Sequence, residues 1–395
     1  MDLNRIRSMA QECRDYVIEL RREFHRHPEV ASEEFHTREV LMRELDAMGV
    51  SYEKVEGTGL IAEIRGAKPG KNKLLRADMD ALPVAEDARN LCRGKVCLSE
   101  VEGKSHACGH DAHMAMMLGT IKILSGLRED LEGTVYCCFE EGEEETTGAY
   151  KMLSALEKYR IDECFALHVY AALEAGKINI DDGPRMAGTV GIDMYVLGKG
   201  GHGSRPDQAA NPIIPAAHIV TQLDSAFHNQ IDAEETVTLG LCIFRAGGEA
   251  TNVIPERVFL AGTARFFSPT EGEKAMHIVN NVSEHTAACH KCTVEYTPRH
   301  RIRLQPVVND AAVATRVRRG VAAAWGEDAL GPCKRWFASE SFSLYLERYP
   351  GALGFLGIRN PEYGSGAPHH NEKFDIDESV LPLGVCAEVV FALGE

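Results

Sequence analysis

The sequence predicts an α/β protein in which one sheet-bearing domain is interrupted by a smaller α+β domain. Three observations predict it. From about residue 61 to 169, short apolar runs alternate with helical stretches. After Asp181-Asp182-Gly183-Pro184 the pattern changes to a half-buried strand alternation and two long helical periods. Mixed α/β character resumes after about residue 299, and 395 residues are too many for one ordinary core.

Taken in order, residues 3–48 read as helix with a break near His27-Pro28, because the residue before a proline disfavours helical backbone. Leu60-Ile64, Lys73-Ala77, Thr134-Phe139 and Cys164-Val169 read as strands. Between the second and third lies a strong helical pattern at about 112–127, carried by Met114, Met117, Leu118, Ile121 and Leu124. The interrupting segment holds a strand at Gly191-Leu197, helices at about 212–229 and 270–289, and strands at 236–245 and 257–267. It is expected to end near Pro298, and the chain to close on an amphipathic helix, Ser379-Leu393.

Composition narrows the function classes. A net charge of -16 argues against a nucleic-acid or anionic-membrane surface, and requires a local basic pocket for any anionic substrate. No run approaches the roughly 20 apolar residues of a membrane span, and the charged N-terminal stretch has no apolar signal core. Twelve cysteines without framework spacing fit reduced thiols in a cytoplasmic protein.

The chemistry concentrates in Ser105-His106-Ala107-Cys108-Gly109-His110-Asp111-Ala112-His113. Cys108 and His110, two apart in an extended segment, point to one side and can reach one metal ion; thiolate and imidazole suit zinc. A helix beginning near Ala112 aims its positive end at this loop and favours thiolate over thiol. The strand ends add acids and a histidine: Asp78 and Asp80 after the second, the run Glu140-Glu141-Gly142-Glu143-Glu144-Glu145 after the third, and His168 within the fourth. Sites in open α/β sheets gather at such carboxyl ends. Crowded carboxylates are costly without a cation, so one glutamate can ligate metal while its neighbour accepts a proton from bound water. Cys108, His110, one of the glutamates, His168 and one of His369 or His370 make five ligands, enough for two ions sharing a bridge.

Two motifs carry less. Gly198-Lys199-Gly200-Gly201-His202-Gly203 matches a dinucleotide fingerprint, but Ser204-Arg205-Pro206-Asp207 intervenes where a helix should open, so it reads as a flexible loop presenting His202 and Arg205. Cys289-His290-Lys291-Cys292 lacks the second pair of a zinc knuckle and the βαβ context of a redox site, and reads as structural cysteines.

With these residues placed, the chain closely resembles the aminoacylase/carboxypeptidase-like dinuclear metallohydrolases, in the amidohydrolase branch that includes hippurate, auxin-conjugate and aminobenzoyl-glutamate hydrolases. The resemblance runs nearly end to end. It rests on Leu20-Arg21-Arg22-Glu23-Phe24-His25, Arg76-Ala77-Asp78-Met79-Asp80, His106-Ala107-Cys108-Gly109-His110-Asp111, Ala166-Leu167-His168-Val169, Gly198-Lys199-Gly200-Gly201-His202, Thr251-Asn252-Val253-Ile254-Pro255 and His370-Asn371-Glu372-Lys373-Phe374. It implies a mixed-sheet catalytic domain, 1–183 and 299–395, with an inserted two-layer α+β lid/dimerisation domain at 184–298.

The resemblance further implies metal ligands Cys108, His110, Glu144, His168 and His370, the last because the family's ligand lies four residues before the phenylalanine. They would hold two divalent ions per subunit, zinc or manganese, with nickel or cobalt as alternatives. Glu143 is implied as general base, Asp80 as the residue orienting a ligand or the base, and His202 as transition-state stabiliser. Asn252 and Arg265 are implied to hold the substrate carboxylate. The expected activity is hydrolysis of the amide bond of N-acyl or N-aroyl amino acids by a homodimer joined through the inserted domain. A metallo-exopeptidase or dipeptidase is the alternative, and a catalytically silent relative the remaining one. The family's Phe-Gln-Pro-Ala-Glu-Glu-Gly is replaced here by Phe139-Glu140-Glu141-Gly142-Glu143-Glu144-Glu145, which adds three acids beside the paired glutamates.

Overall fold

A computed structural model describes residues 3–394. The chain opens with helices α1 (Leu3–Glu12), α2 (Arg14–Arg26) and α3 (Phe35–Ala47), the break falling at His27 and Pro28. Then come β1 (Ser51–Lys54), β2 (Leu60–Arg65), β3 (Lys73–Asp78), α4 (His110–Gly126), β4 (Thr134–Glu140), α5 (Thr147–Leu156), β5 (Glu163–Glu174) and β6 (Ile178–Asn179). The middle holds β7 (Gly183–Met186), β8 (Gly188–Leu197), β9 (Gly201–His202), α6 (Ile213–Gln230) and β10 (Val237–Ala246). It continues with β11 (Val253–Ile254), β12 (Arg257–Phe266), α7 (Pro269–Cys289), β13 (Thr293–Tyr296) and β14 (Arg301–Leu304). The last segment is β15 (Val307–Asn309), α8 (Ala311–Trp325), α9 (Ser343–Leu346), β16 (Gly351–Arg359) and α10 (Leu381–Leu393).

These elements form two compact units. One comprises the chain up to Gly183, Val308–Lys334 and the chain from Leu344 onward; the other comprises Pro184–Val307 and Arg335–Ser343.

The first unit is built on a seven-stranded sheet of order β1-β2-β4-β3-β5-β16-β6. The β3/β4, β3/β5 and β5/β16 pairs are parallel, whereas β1/β2, β2/β4 and β6/β16 are antiparallel, so the sheet is mixed. Every residue of β3 is buried, as is typical of a central strand covered on both faces. The carboxyl ends of β3, β4 and β5 therefore meet at one edge, beside the start of α4. Gly109 caps that helix at φ 90°, and a Cβ there would lie 2.3 Å from Val169 Cγ2, so glycine alone fits the turn.

The second unit is an antiparallel sheet, β10-β12-β8-β13, with β14 also paired to β8. Helices α6 and α7 cover one face, where Val190, Ile192, Met194, Val258, Leu260 and Phe266 are buried with Ile219, Leu223 and Ile278. The expected boundary near Pro298 falls too early. Arg301–Leu304 pairs with Gly191, Val190 and Thr189 of β8, and hydrogen bonding to that sheet assigns it to the insertion.

The closing helix also differs from expectation. It begins at Leu381, and all of 381–392 is buried, so it is not amphipathic. It packs against α1, α4, α8 and β5, which leaves no solvent face. Its one carboxylate, Glu388, lies 2.6 Å from the Thr120 hydroxyl of α4. Burial pushes the Glu388 carboxyl up to about 8, with the Thr120 hydrogen bond acting the other way. A carboxyl raised in the folded state contributes stability fully below its ordinary value near 4.5, and that contribution is lost as pH rises through about 8. Glu388→Gln is therefore expected to match the parent near pH 4 and to exceed its stability by about 3–5 kcal/mol at pH 9. Urea unfolding at the two pH values checks this; equal stabilities at pH 9 would show that Glu388 is not held neutral.

Candidate metal centre

At the edge where β3, β4 and β5 end, five side chains offer ligand atoms in two overlapping triads. Cys108, His110 and His168 form one, and Cys108, Glu144 and His370 form the other, with all ligand atoms of a triad within 4.8 Å of one another. Cys108 belongs to both. His110 also clusters with Glu143 and Glu144.

The hydrogen bonds show how each ligand is aimed. His168 Nδ1 lies 2.7 Å from the Val169 carbonyl, so it carries the proton, and Nε2 faces Cys108 Sγ at 3.7 Å. Asp80 receives His110 Nδ1 at 3.2 Å and accepts the backbone N–H groups of Glu143 and Glu144, each at 3.1 Å. One carboxylate thus orients a ligand imidazole and the turn that bears both glutamates. His370 has φ 64°, an uncommon conformation for a side-chain-bearing residue, held by its N–H on the Ala107 carbonyl at 2.8 Å. Its neighbour His369 accepts the Ala171 N–H on Nε2 at 3.1 Å. His369 Nδ1 must then carry the proton toward Cys108 Sγ, 3.7 Å away, which leaves that ring no lone pair for a cation.

The electrostatics suit a cation held among these donors. Burial pushes the Cys108 thiol well above its ordinary range, against the pull of His110, and a thiolate there requires a cation. Burial, with His113 and His369 beside it, holds His168 well below the imidazole range and therefore neutral, the form that ligates. Burial opposes charge on His110, but Asp78, Cys108 and Asp80 outweigh it and raise that group. His110 Nε2 and Glu144 Oε1 are buried and make no hydrogen bond among the described residues, although Glu144 Oε1 lies 3.1 Å from His370 Nε2. Atoms so close without hydrogen-bond geometry suit a shared ion between them.

The acidic run is divided among separate tasks. Glu140 pairs with Arg76 at 3.1 Å and accepts the Tyr345 hydroxyl at 2.5 Å. Glu141 pairs with Lys151 and takes the Thr58 hydroxyl at 2.7 Å. Glu145 is exposed. Only Glu143 and Glu144 join the His110 cluster.

Sequence reasoning assigned no task to His113 or to Asp78. His113 Nε2 accepts the Val169 N–H at 2.9 Å, and its Nδ1 donates to Asp78 Oδ1 at 2.6 Å. The pair braces the strand beside His168; the third histidine of the Cys108 loop was the available signal. Arg21 and His25 of the first motif meet Asp111 at 2.8 and 2.7 Å, fastening α2 to the first turn of α4.

In the inserted unit, His202 lies on β9, whose partner β11 places Val253 opposite it. His202 Nδ1 accepts the Ser204 N–H at 3.1 Å, so its proton sits on Nε2, and the Asn252 carbonyl accepts the Gly203 N–H at 2.8 Å. His202 and Asn252 thus flank one turn, while Arg265 stands separately on β12. Arg205 is bound to Asp207 at 2.7 Å. Cys289 and Cys292 join no potential metal cluster among the described residues, and no helix of those residues is long and apolar enough to cross a membrane.

The model of peptidase family M20/M25/M40 matches residues 74–392, which span this entire edge. The chain belongs to that family. This member is 32% identical over 373 residues to an IAA-amino acid hydrolase of Arabidopsis thaliana, ILR1-like 4, covering 94% of this chain and 83% of that one. It is also 32% identical over 374 residues to the N-acetylcysteine deacetylase of Bacillus subtilis, covering 93% of each. Among solved structures it is similar to the YXEP protein of Bacillus subtilis, described as a dinuclear metal-binding peptidase, with TM-score 0.83 and 28% identity over 97% of this chain and 98% of that one. The chain is a hydrolase of the amidohydrolase branch, as its motifs had indicated.

Proposed function

We propose that this M20 hydrolase cleaves the amide bond of N-acyl or N-aroyl amino acids, with Cys108, His110, His168, Glu144 and His370 holding two divalent cations. The meeting of these donors at one sheet edge, with Cys108 common to both triads, supports the reading, and Cys108 would be the ligand open to both ions. The mixed soft and borderline donor set favours zinc, with manganese, nickel or cobalt as alternatives. When bound, such ions lower the pKa of a coordinated water from 15.7 to about 7.

Glu143, adjacent to the ligand Glu144 and held through its backbone by Asp80, takes the proton of the attacking water and returns it to the departing amine. His202 presents Nε2–H as a donor to the developing oxyanion, and Asn252 and Arg265 hold the free carboxylate. The homodimer reading comes from the family resemblance, and the outer strand β10, which pairs on one side only among the described residues and exposes Ile243 and Phe244, supports it. Twelve cysteines without a disulfide among the described residues support a cytoplasmic location.

Assay of the metal-reconstituted protein on N-acetyl, N-benzoyl and indole-acetyl amino acids beside unblocked dipeptides tests the substrate class. The conjugates are expected to be turned over at least tenfold better, in line with the IAA-amino acid hydrolase and N-acetylcysteine deacetylase to which the chain is similar. Faster cleavage of the dipeptides would favour the exopeptidase reading.

A further inference from the structure

The turn that carries Glu143 and Glu144 is pinned by buried carboxyl groups, Asp80 at one end and Glu34 at the other. Asp80 accepts the N–H groups of Glu143 and Glu144, each at 3.1 Å. The preceding N–H, that of Gly142, donates to Glu34 Oε1 at 2.8 Å. Glu34 stands immediately before α3, where a side chain ordinarily caps the free N–H groups of a helix. Here Glu29 takes that task, accepting the His36 and Thr37 N–H groups at 3.0 and 2.9 Å. The Glu34 carboxyl is thereby released from its own helix: it makes no cap hydrogen bond, and the residue is 0% exposed.

A single hydroxyl proton decides the state of that carboxyl. Thr58 Oγ1 lies 2.6 Å from Glu34 Oε2 and 2.7 Å from Glu141 Oε2. The loop bearing Thr58 comes this close because Gly57 is bare: a Cβ there would collide with the Glu141 carboxylate. A threonine hydroxyl has one proton to give, so two carboxylate anions against it would leave one oxygen pair with no hydrogen between them. Burial opposes charge on Glu141, but the Lys151 ammonium and the Thr58 N–H and hydroxyl outweigh it and hold that carboxyl below its ordinary range. Glu141 is therefore the anion that receives the hydroxyl proton, and Glu34 carries a proton of its own toward Thr58 Oγ1. Burial pushes the Glu34 carboxyl up to about 7, against the hydrogen bonds from Thr58 and Gly142, and the charge of Asp80 adds to the rise.

We infer that Glu34, as a neutral carboxyl, is a positioning residue that fixes the Gly142 end of the base-bearing turn while Asp80 fixes the other. The inference rests on the reading of Glu143 as general base. Glu34 acts through the Gly142 backbone, setting where the Glu143 carboxylate stands. The charged groups that face it are Glu141, answered by Lys151 of α5, and Asp80 after β3; Arg38, one turn along α3, is turned to the Gly57 carbonyl at 2.7 Å. Loss of the Glu34 proton would set two anions against one hydroxyl, and their repulsion would fall on the turn.

The test reads kcat and KM of the metal-loaded enzyme on an N-acetyl amino acid from pH 5 to 9. Glu34→Ala is expected to lower kcat by roughly ten- to a hundredfold, the scale on which misplacement of a catalytic group is felt, with KM within about twofold and metal content unchanged. Glu34→Gln offers the same pair of contacts, an oxygen for the Gly142 N–H and an N–H for Thr58, but cannot ionise. It should restore most of kcat at pH 6 and hold it to pH 9, where the parent's kcat falls as Glu34 loses its proton. In the metal-free protein, Glu34→Gln should unfold at a higher urea concentration than the parent at pH 9 and at the same one near pH 4. A carboxyl raised from 4.5 to about 7 stabilises the fold fully below the lower value and loses that contribution as pH rises through the higher. The Glu34→Gln comparisons stand whether or not Glu34→Ala folds. A parent-like kcat in Glu34→Ala would overturn the inference and leave Glu143 as the base; so would parallel pH profiles and equal urea midpoints in Glu34→Gln and the parent. Turnover by Glu143→Gln at the parent's rate would instead overturn the base reading, and this inference with it.

Discussion

Glu143→Gln is expected to keep its metal and lose turnover by roughly 10²–10⁴-fold, the range over which a positioned proton acceptor contributes. The substitution keeps side-chain volume and leaves the backbone N–H of residue 143 free to donate to Asp80 Oδ1, as it does at 3.1 Å in the parent. The turn and the ligand Glu144 therefore stay in place, and only the ability to hold a proton is removed. Metal content by elemental analysis and single-turnover rates separate the two effects. A variant that turned over within a few-fold of the parent would take the base role away from Glu143. A variant that lost its metal would show that Glu143 is itself a ligand, in keeping with its place beside His110.

Cys108→Ala should release both ions together, whereas His168→Ala and His370→Ala should each weaken one. Cys108 is common to the two triads, while His168 and His370 each belong to a single one of them. Loss of an outer-shell partner costs about 10–100-fold in metal affinity, and loss of a ligand shared by two ions should cost more at each. Chelator competition, titrated until each equivalent is removed, reads the difference directly and needs no substrate. Two tightly held ions in Cys108→Ala would refute the shared thiolate. The fold should survive, because β3, α4 and β5 are held by packing and by the His113–Asp78 and Arg21–Asp111 contacts rather than by Cys108.

Much of this site was legible from local pattern. Strands end where apolar runs meet acids, and a parallel sheet puts its carboxyl ends on one edge, so Asp80, the acidic run and His168 could be brought together from the sequence alone. Residue type does not separate His369 from His370. The structure adds that the Ala171 N–H, a group nearly 200 residues away, lies on a His369 ring nitrogen. Nor could the six-residue acidic stretch be apportioned along the chain. Arg76, Tyr345, Thr58 and Lys151 claim Glu140 and Glu141, and three of those four partners come from other elements.

The sequence by itself determined the fold class, the interruption after Gly183, the alternation of elements and the residue types of a two-ion centre, because each follows from short-range periodicity or motif spacing. Only the tertiary structure decided that Arg301–Leu304 joins the insertion, that the last helix is buried on every side, and that Cys108 belongs to two of the donor clusters. Those outcomes depend on which distant backbone groups, charges and bare surfaces a residue meets, and chain-local chemistry carries no record of them.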